Sequence, residues 1–246
     1  MGRTVAIIQA RMGSTRLPEK VLREIGDRAM LWHVYERAVK ASLVDAVVVA
    51  TTTEPGDDAI EAFCREHAID CHRGSETDVL DRYYQTAIDE NADTVVRLTA
   101  DCPFLSPAVI DRVVRVYRDS DAQYVTNIIQ YTYPDGLDVE VFDAAALGTA
   151  RENATSSEER EHVTPYIRES GAFETKNVEN PLDIYEYSCI GDGTVPRWTV
   201  DYPEDLEFVR EVYDRLTGSG HWIFDQQSVF ELLEREPELR AINDDR

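Results

Sequence analysis

Three cationic side chains lie close together near the start of the chain, although only 25 of its 246 residues are lysine or arginine. They are Arg11, Arg16 and Lys20. A guanidinium group binds phosphate oxygens in a bidentate manner, whereas the lysine ammonium is a movable point charge suited to a leaving phosphate. The spacing therefore predicts a polyphosphate-binding loop, with a solvated basic turn as the alternative.

The residues between these cations fit the same chemistry. Gly13 permits close approach of the backbone to a ligand, so that N–H groups of a compact loop can point together at an anion. Ser14 and Thr15 add hydroxyl donors. The loop is not a Walker loop, because the Gly-Lys-Ser/Thr ending is missing, and no G-x-G-x-x-G occurs in the sequence.

An apolar strand must position this loop, since Val5, Ile7 and Ile8 form the β-branched run typical of a buried parallel strand. Open α/β sheets bind ligands beyond the carboxyl ends of such strands. The regular alternation that follows predicts a doubly wound, mostly parallel, Rossmann-like α/β sheet. Further strands are predicted at 45–52, 69–72 and 93–98, and helices at 28–41, 57–67, from a Ser75 or Thr77 cap to about 91, and at 107–119.

The second half of the chain has a less regular, mixed α+β pattern. Strands are predicted at 124–130, 137–142, 173–178, 184–189 and 198–200, and helices at 157–170, 203–217 and 225–235. A chain of this length with 43% hydrophobic residues can form one large core. We therefore expect a single domain over residues 1–246, with halves at about 1–120 and 121–246.

Two aspartates follow predicted strands. Asp101 comes after the fourth strand, and Asp201 lies at a similar junction between a strand and a helix. Two carboxylates together with phosphate oxygens form a normal environment for Mg²⁺, which keeps several water ligands. The pair is predicted to hold magnesium beside the cationic loop, and a helix-capping role is the alternative for either residue.

The stretch from Gln9 to Leu22, Gln-Ala-Arg-Met-Gly-Ser-Thr-Arg-Leu-Pro-Glu-Lys-Val-Leu, resembles the amino-terminal signature of cytidylyltransferases that activate acidic sugars. Acylneuraminate and 3-deoxy-manno-octulosonate cytidylyltransferases belong to this group, and the likeness is strongest to the spore coat polysaccharide biosynthesis protein F branch. The resemblance covers five ordered segments between Val5 and Asp205. One departure is Glu19, where the family usually has glycine.

The resemblance implies a GT-A-like nucleotidyltransferase fold, a nucleotide-binding first half and a second half for sugar binding and dimerisation. It implies that the loop cations act on the triphosphate and that the two aspartates bind the catalytic Mg²⁺. It also implies nucleotide contacts by Gln9, Ala10, Gly13, Ser14, Thr15, Arg73, Gly74 and Ser75. The alternative for Arg73, Gly74 and Ser75 is a structural turn with a capping box.

The resemblance further implies that Asp138, Glu140, Glu161 and His162 contact the sugar. An edge strand is the alternative for the first two, because apolar residues alternate with them, and His162 could equally be a packing residue. The carboxylate of an acidic sugar requires a cation, for which Arg160 and Arg197 are candidates.

The formal net charge of −23 disfavours nucleic acid or an anionic membrane as a partner, because this charge repels polyanions except at local basic sites. Only three lysines, Lys20, Lys40 and Lys176, accompany 48 acidic residues. That balance predicts a halophilic source, since strong salt screens self-repulsion. Without a membrane-length apolar run or a cationic, apolar leader, we expect a cytoplasmic protein.

Four possible zinc ligands, Cys64, His67, Cys71 and His72, lie within nine residues. They span a helix end and the next strand, which favours ordinary packing and surface roles over a zinc site. Cys102 and Cys189 are the remaining cysteines, and no Cys-x-x-Cys pair occurs. Reduced thiols are therefore expected.

The predicted reaction is transfer of CMP from CTP to an acidic, acylneuraminate-like sugar, with release of pyrophosphate, in the synthesis of surface polysaccharides or glycans. The predicted cofactor is Mg²⁺, and family members imply a homodimer. Three alternatives stay open: a nucleotide-sugar-dependent glycosyltransferase of related fold, a nucleotidyltransferase for another base or a neutral sugar, and a non-catalytic nucleotide-binding protein.

Overall fold

The computed structural model describes residues 2–190, 195–217 and 222–243. The strands in these ranges are β1 (Thr4–Gln9), β2 (Glu24–Ile25), β3 (Arg28–Ala29), β4 (Ala46–Thr52), β5 (Asp70–Gly74), β6 (Thr94–Thr99), β7 (Tyr124–Thr126), β8 (Glu140–Asp143) and β9 (Thr175–Asn177). The α-helices are α1 (Met30–Val39), α2 (Asp58–Glu66), α3 (Val79–Asp89), α4 (Pro107–Arg118), α5 (Ala144–Asn153), α6 (Ser157–His162), α7 (Pro165–Glu169), α8 (Pro203–Leu216) and α9 (Gln226–Arg235).

A seven-stranded sheet in the order β5-β4-β1-β6-β8-β7-β9 forms the centre of the fold. The strands β5, β4, β1 and β6 are parallel, and Ile7 of β1 pairs with Val48 on one side and Arg97 on the other. Strand β8 runs antiparallel to both β6 and β7, and β9 is parallel to β7. The predicted α/β class, with a mostly parallel sheet, is confirmed.

Helices cover both faces of the sheet because successive side chains of a buried strand point in opposite directions. Ala6 and Ile8 of β1 join one apolar cluster, which contains core residues of α1, α2, α4, α8 and α9. Val5 and Ile7 join a second cluster with core residues of α3 and α5. Residues from both halves of the chain contribute to each cluster, so the mixed second half continues the same sheet.

The first half of the chain follows the sequence prediction closely, apart from one helix cap. The side chain of Asp78 accepts a hydrogen bond from the backbone N–H of Asp81 and caps α3, so the prediction of Ser75 or Thr77 was wrong. The Ser75 hydroxyl instead accepts from the backbone N–H of Asp78, which tightens the turn before the helix.

The second half needs several corrections. The predicted helix at 157–170 is two helices, because Val163 has a φ of 70° and the next helix begins at Pro165. The predicted strand at 184–189 was wrong, since Ile184–Glu186 is a 3₁₀ helix. The predicted strand at 198–200 was also wrong: this segment has no regular secondary structure, and the neighbouring Arg197 makes a single bridge to Asp135. Strand β8 begins at Glu140, later than predicted, and helix α5 was not predicted.

The loops that follow β1 and β6 are tied together by backbone hydrogen bonds. The N–H of Ala100 donates to the carbonyl of Gln9, and the N–H of Val200 donates to the carbonyl of Asp101. These bonds bring three distant chain segments together at the carboxyl ends of β1 and β6, where the cationic loop lies. No helix in the described ranges is both long and apolar enough to cross a membrane.

Candidate active site

A cavity of about 430 Å³ lies at the carboxyl ends of β1 and β6. Most of the predicted site residues line it, and they come from the loop after β1, the two predicted metal-binding aspartates and helix α6. The predicted residues in its wall are Gln9, Ala10, Arg11, Gly13, Ser14, Thr15, Arg16, Lys20, Asp101, Glu161, His162 and Asp201.

Lys20 lies between the two aspartates. Its Nζ is 2.8 Å from Oδ2 of Asp101 and 3.0 Å from Oδ1 of Asp201, and it also donates to the carbonyl of Val200. Burial opposes the charge of Lys20, but the attraction of Asp101 and the hydrogen bonds to both carboxylates raise the pKa of Lys20 above its ordinary value. Burial likewise opposes ionisation of Asp101, and the Lys20 ammonium nevertheless lowers the pKa of that carboxyl. Lys20 and Asp101 are therefore both charged at neutral pH.

Arg16 is held at the rim by an aromatic residue and an acid. Its guanidinium donates to the hydroxyl of Tyr202 at 3.2 Å, lies 4.8 Å from the ring centroid, and is 3.3 Å from Asp201. The hydrogen bond to Tyr202 and the charge of Asp201 raise the pKa of Arg16. Asp201 thus contacts two of the three predicted phosphate-binding cations.

The backbone of the loop is anchored by a residue that the sequence analysis did not single out. Asp57 accepts a hydrogen bond of 2.7 Å from the N–H of Met12, and it also bonds the hydroxyl of Thr52. The Ser14 hydroxyl accepts from the N–H of Leu17. A Cβ added at Gly13 would meet nothing within 4 Å, so that part of the loop faces open space.

Arg73, Gly74 and Ser75 do not line the cavity. The Arg73 guanidinium donates to the carbonyls of Thr52 and Glu54 and forms ion pairs with two acids of α2, Asp58 and Glu61. Gly74 and Ser75 instead contact a residue of α3, Arg82, whose Nη1 donates to the Ser75 carbonyl at 2.6 Å. This segment therefore reaches the site through Arg82 rather than directly.

Asp138 and Glu140 also lie outside the cavity wall. Glu140 is 2% exposed and forms an ion pair with Arg97, while accepting hydrogen bonds from the hydroxyls of Tyr124 and Thr164. Burial and the neighbouring Asp135 raise the pKa of Asp138 to about 7. Glu140 acts on the site through Arg97, whose Nη2 lies 3.3 Å from the side-chain oxygen of Gln9 in the cavity wall.

The two arginines considered for the sugar carboxylate are already paired with acids. Arg160 donates to Asp78 at 2.6 Å and to two backbone carbonyls. Arg197 makes a bidentate pair with the buried carboxylate of Asp205. In contrast, Glu161 and His162 lie on the exposed side of α6, where they face the cavity.

The sequence analysis assigned no role to several residues of the wall, which are Val21, Val79, Arg82, Thr99 and Ala100. Val79 and Arg82 are three residues apart at the start of α3 and thus share one helix face. That spacing, shortly after the segment Arg73 to Ser75 that the resemblance placed at the nucleotide, is the signal that could have identified Arg82. Thr99 and Ala100 are adjacent to Asp101 at the strand end where ligands are expected.

The donor set at Asp101 and Asp201 fits a divalent cation. The two carboxylates already share one cation, the Lys20 ammonium, and hard oxygen ligands are those that Mg²⁺ prefers. In the part of the chain that the structure describes, no group of three or more His, Cys, Asp or Glu side chains could hold a metal ion. Zinc binding by Cys64, His67, Cys71 and His72 is therefore not supported, and other ligands of Mg²⁺ would come from phosphate and water.

The site thus consists of a cationic loop and two carboxylates at the carboxyl ends of β1 and β6 in a mostly parallel α/β sheet. The sequence profile of the cytidylyltransferase family matches residues 5–234 of this chain. The chain belongs to that family, which confirms the resemblance seen in the sequence, and it is an enzyme of the nucleotidyltransferase class.

Several known proteins are similar over most of the chain. The spore coat polysaccharide biosynthesis protein SpsF of Bacillus subtilis is 34% identical over 217 residues, covering 85% of each chain. The 3-deoxy-manno-octulosonate cytidylyltransferase of Solibacter usitatus is 36% identical and covers 88% of this chain and 98% of its own. The solved structure of a cytidylyltransferase from Leptospira borgpetersenii is 30% identical, covers 96% of each chain and has a TM-score of 0.86.

Proposed function

We propose that the protein transfers CMP from CTP to an acidic, acylneuraminate-like sugar and releases pyrophosphate, in the synthesis of a surface polysaccharide or glycan. The observation that carries the proposal is the placement of Lys20 between Asp101 and Asp201 in a cavity that Arg11 and Arg16 also line. Relatives named for spore coat polysaccharide synthesis and for 3-deoxy-manno-octulosonate support the acidic sugar.

In the proposed reaction, the anomeric hydroxyl of the sugar attacks the α-phosphorus of CTP, and the bond to the bridging oxygen of pyrophosphate breaks. Phosphoryl transfer of this kind depends chiefly on positioning and charge stabilisation. Arg11 and Arg16 would hold the triphosphate, and Lys20 would move from the aspartates to the leaving pyrophosphate. Its flexible stem allows that movement.

Asp101 and Asp201 are the residues proposed to hold Mg²⁺. A divalent cation there would supply neutralisation of charge on the reacting and leaving oxygens. The ammonium of Lys20 and the metal would compete for the same carboxylate oxygens. Binding of the nucleotide would relieve this competition, because the triphosphate offers Lys20 a new anionic partner.

The sugar would lie toward α6, where Glu161 and His162 present hydrogen-bonding groups. Asp138 and Glu140 remain candidates for a contact with sugar hydroxyls, although both lie outside the cavity wall of the free protein. We further infer a single domain, a homodimer, a cytoplasmic location and a halophilic source, for which the support is the sequence resemblance, the composition and the charge.

The direct test is pyrophosphate release in molar salt, with Mg²⁺ or with a chelator. CTP, UTP, ATP and GTP would each be offered with nonulosonic, octulosonic and neutral sugars. We expect release that requires CTP, one acidic sugar and the metal, and loss of release in Lys20→Met. Release with a neutral sugar, or no release together with no CTP binding, would contradict the proposal. A nucleoside diphosphate product would indicate the glycosyltransferase alternative.

A further inference from the structure

Arg82 differs from the other buried arginines of this protein. It is 2% exposed and lines the cavity from the first turns of α3. Its Nη1 donates to the Ser75 carbonyl, whereas its buried Nε has no hydrogen-bond partner. Among residues 2–190, 195–217 and 222–243, no carboxylate lies within ion-pair distance of its guanidinium. Burial lowers the pKa of Arg82 and the charge of Arg11 acts in the same direction, while the charges of Asp57 and Glu76 oppose this shift without forming an ion pair.

Arg37 and Arg97 show how two other guanidinium groups inside this protein are compensated. Arg37 is fully buried, and its guanidinium is satisfied by three backbone carbonyls and the hydroxyl of Tyr213. The Nε of Arg97 is likewise buried without a hydrogen-bond partner, but the charge of Arg97 is compensated by the carboxylate of Glu140. A buried charge without a partner is unfavourable, so proteins normally pair it or hydrogen-bond it fully. Arg82 therefore has binding capacity that the free protein does not use.

Two of the other cations in the cavity wall already have acidic partners in the free protein. Lys20 is neutralised by Asp101 and Asp201, and Arg16 is paired with Asp201. Arg160, which lies outside the cavity wall, is paired with Asp78. Among the described residues of the wall, Arg82 and the exposed Arg11 are the arginines without an acidic partner.

We propose that Arg82 is an oxyanion-binding residue of the active site, one that bonds either a phosphate of the nucleotide or the carboxylate of the acidic sugar. The proposal rests on the proposed function, since it identifies a further contact for the same two substrates. Phosphate and carboxylate share the planar pair of oxygens that a guanidinium binds in a bidentate manner. An anion in the cavity would remove the unfavourable burial of an unpaired charge.

Gly74, at the end of β5, lies against the side-chain stem of Arg82. A Cβ on Gly74 would lie 2.9 Å from Cγ of Arg82, which is closer than real Cβ contacts, and a tight 3.1 Å from its Cβ. Gly74 thus leaves space for the stem of Arg82, and the Ser75 carbonyl orients its guanidinium. The segment after β5 therefore positions Arg82, and Gly74→Ala should displace the guanidinium without removing any charge.

The test measures binding of CTP and of cytidine by calorimetry, and KM for 3-deoxy-manno-octulosonate and N-acetylneuraminate. The variants are Arg82→Gln, Arg82→Lys and Gly74→Ala. Arg118→Gln is the matched control, because Arg118 also donates to a backbone carbonyl but lies at the opposite end of β1, beside Thr4. Thermal melts identify which variants are folded. Arg82→Lys and Gly74→Ala, which keep the positive charge, allow the test to be made if Arg82→Gln does not fold.

Two results support the proposal and identify the source of the oxyanion. If Arg82 binds a phosphate, Arg82→Gln weakens CTP binding by about tenfold to a hundredfold and leaves cytidine binding unchanged. If it binds the sugar, CTP binding is unchanged and KM for the accepted acidic sugar rises by about the same factor. In either case Arg82→Lys retains part of the function, and Gly74→Ala shows the same defect in weaker form.

Folded Arg82→Gln protein with normal CTP affinity and normal sugar KM would overturn the proposal while leaving the proposed function intact. Failure of the wild-type protein to bind CTP would overturn both. A defect of equal size in Arg118→Gln would also overturn it, because the effect would then come from general loosening of the fold.

Discussion

The ammonium of Lys20 and the carboxylate of Asp101 form an ion pair, with Nζ 2.8 Å from Oδ2. The two residues are 81 positions apart in the sequence, and the contact joins the loop after β1 to the end of β6. Because Asp201 accepts from the same ammonium, one cation holds together three segments of the chain. The same carboxylates are the proposed ligands of Mg²⁺, so ion pairing and metal binding are coupled at this point.

Replacement of one proposed metal ligand should change the dependence on magnesium. In Asp101→Asn we expect the Mg²⁺ concentration for half-maximal activity to rise by about tenfold or more, because a neutral amide oxygen binds the ion less strongly. Activity measured against Mg²⁺ concentration checks this. Asp111→Asn is the control, since Asp111 bonds only Ser42 and Leu43 in the described structure. An unchanged Mg²⁺ requirement in Asp101→Asn would contradict the assignment.

Arg11 should contribute directly to transition-state binding. Loss of a bidentate phosphate contact costs on the order of 2 to 3 kcal/mol, which corresponds to about a hundredfold in rate. We therefore expect Arg11→Ala to reduce turnover of CTP by about a hundredfold with no change in melting temperature, because Arg11 is exposed. Steady-state kinetics measure the effect, and Arg115→Ala on the exposed side of α4 is the control. Near-normal turnover in Arg11→Ala would remove the loop from the mechanism.

Glu19 has a backbone conformation that favours glycine, with φ 60° and ψ 21°. A side chain in this left-handed region costs about 1 kcal/mol, so Glu19→Gly should raise the free energy of unfolding by about that amount. Removal of the negative charge of Glu19, the residue before Lys20, should also strengthen CTP binding. Chemical denaturation and calorimetry measure the two effects. Glu19→Gln separates them, because it removes the charge and keeps the strain; equal stability of Glu19→Gly and wild type would contradict the strain.

The buried pair of Arg97 and Glu140 should be important for stability. Glu140→Gln leaves the Arg97 charge buried without compensation, which typically costs about 3 to 5 kcal/mol. Urea denaturation measures this loss. The double variant Arg97→Met/Glu140→Leu should recover much of it, since no buried charge remains. If the single variant were as stable as wild type, the pair would have no structural role.

His33 should make stability depend on pH. It is 4% exposed, its Nε2–H donates to the Ile25 carbonyl at 2.9 Å, and burial lowers its pKa to about 4. The unfolded chain binds this proton near pH 6.5, whereas the folded protein resists it until about pH 4. The contribution of His33 to the free energy of unfolding is therefore fully present above pH 6.5 and is lost as the pH falls. Between pH 7 and pH 5 the free energy of unfolding should decrease by about 2 kcal/mol for this reason.

Urea denaturation at pH 5, 6 and 7 tests the His33 prediction in constant high salt. The His33→Gln variant cannot titrate at this position. Between pH 7 and pH 5 its free energy of unfolding should therefore decrease by about 2 kcal/mol less than that of the wild type. Parallel curves for the variant and the wild type would contradict the assignment of the pH dependence to His33.

Local sequence patterns predicted the first half of the fold well. The β-branched runs of β1, β4 and β6 and the apolar spacing of α1 and α4 are encoded within a few neighbouring residues, and the structure has each of these elements. The second half was predicted less well because its short elements depend on tertiary contacts. The segment at 198–200, for example, is held by hydrogen bonds to the backbone carbonyls of Asp101 and Asp135 rather than by a neighbouring strand.

The sequence by itself determined the cationic loop, the two candidate aspartates and the family, because these are properties of residue types in order. Only the tertiary structure decided which charges meet. It placed Lys20 between Asp101 and Asp201, paired Glu140 with Arg97, and left Arg82 buried without an acidic partner. The physical reason is that residue spacing encodes periodicity along one element, whereas the pairing of charges depends on how distant elements pack.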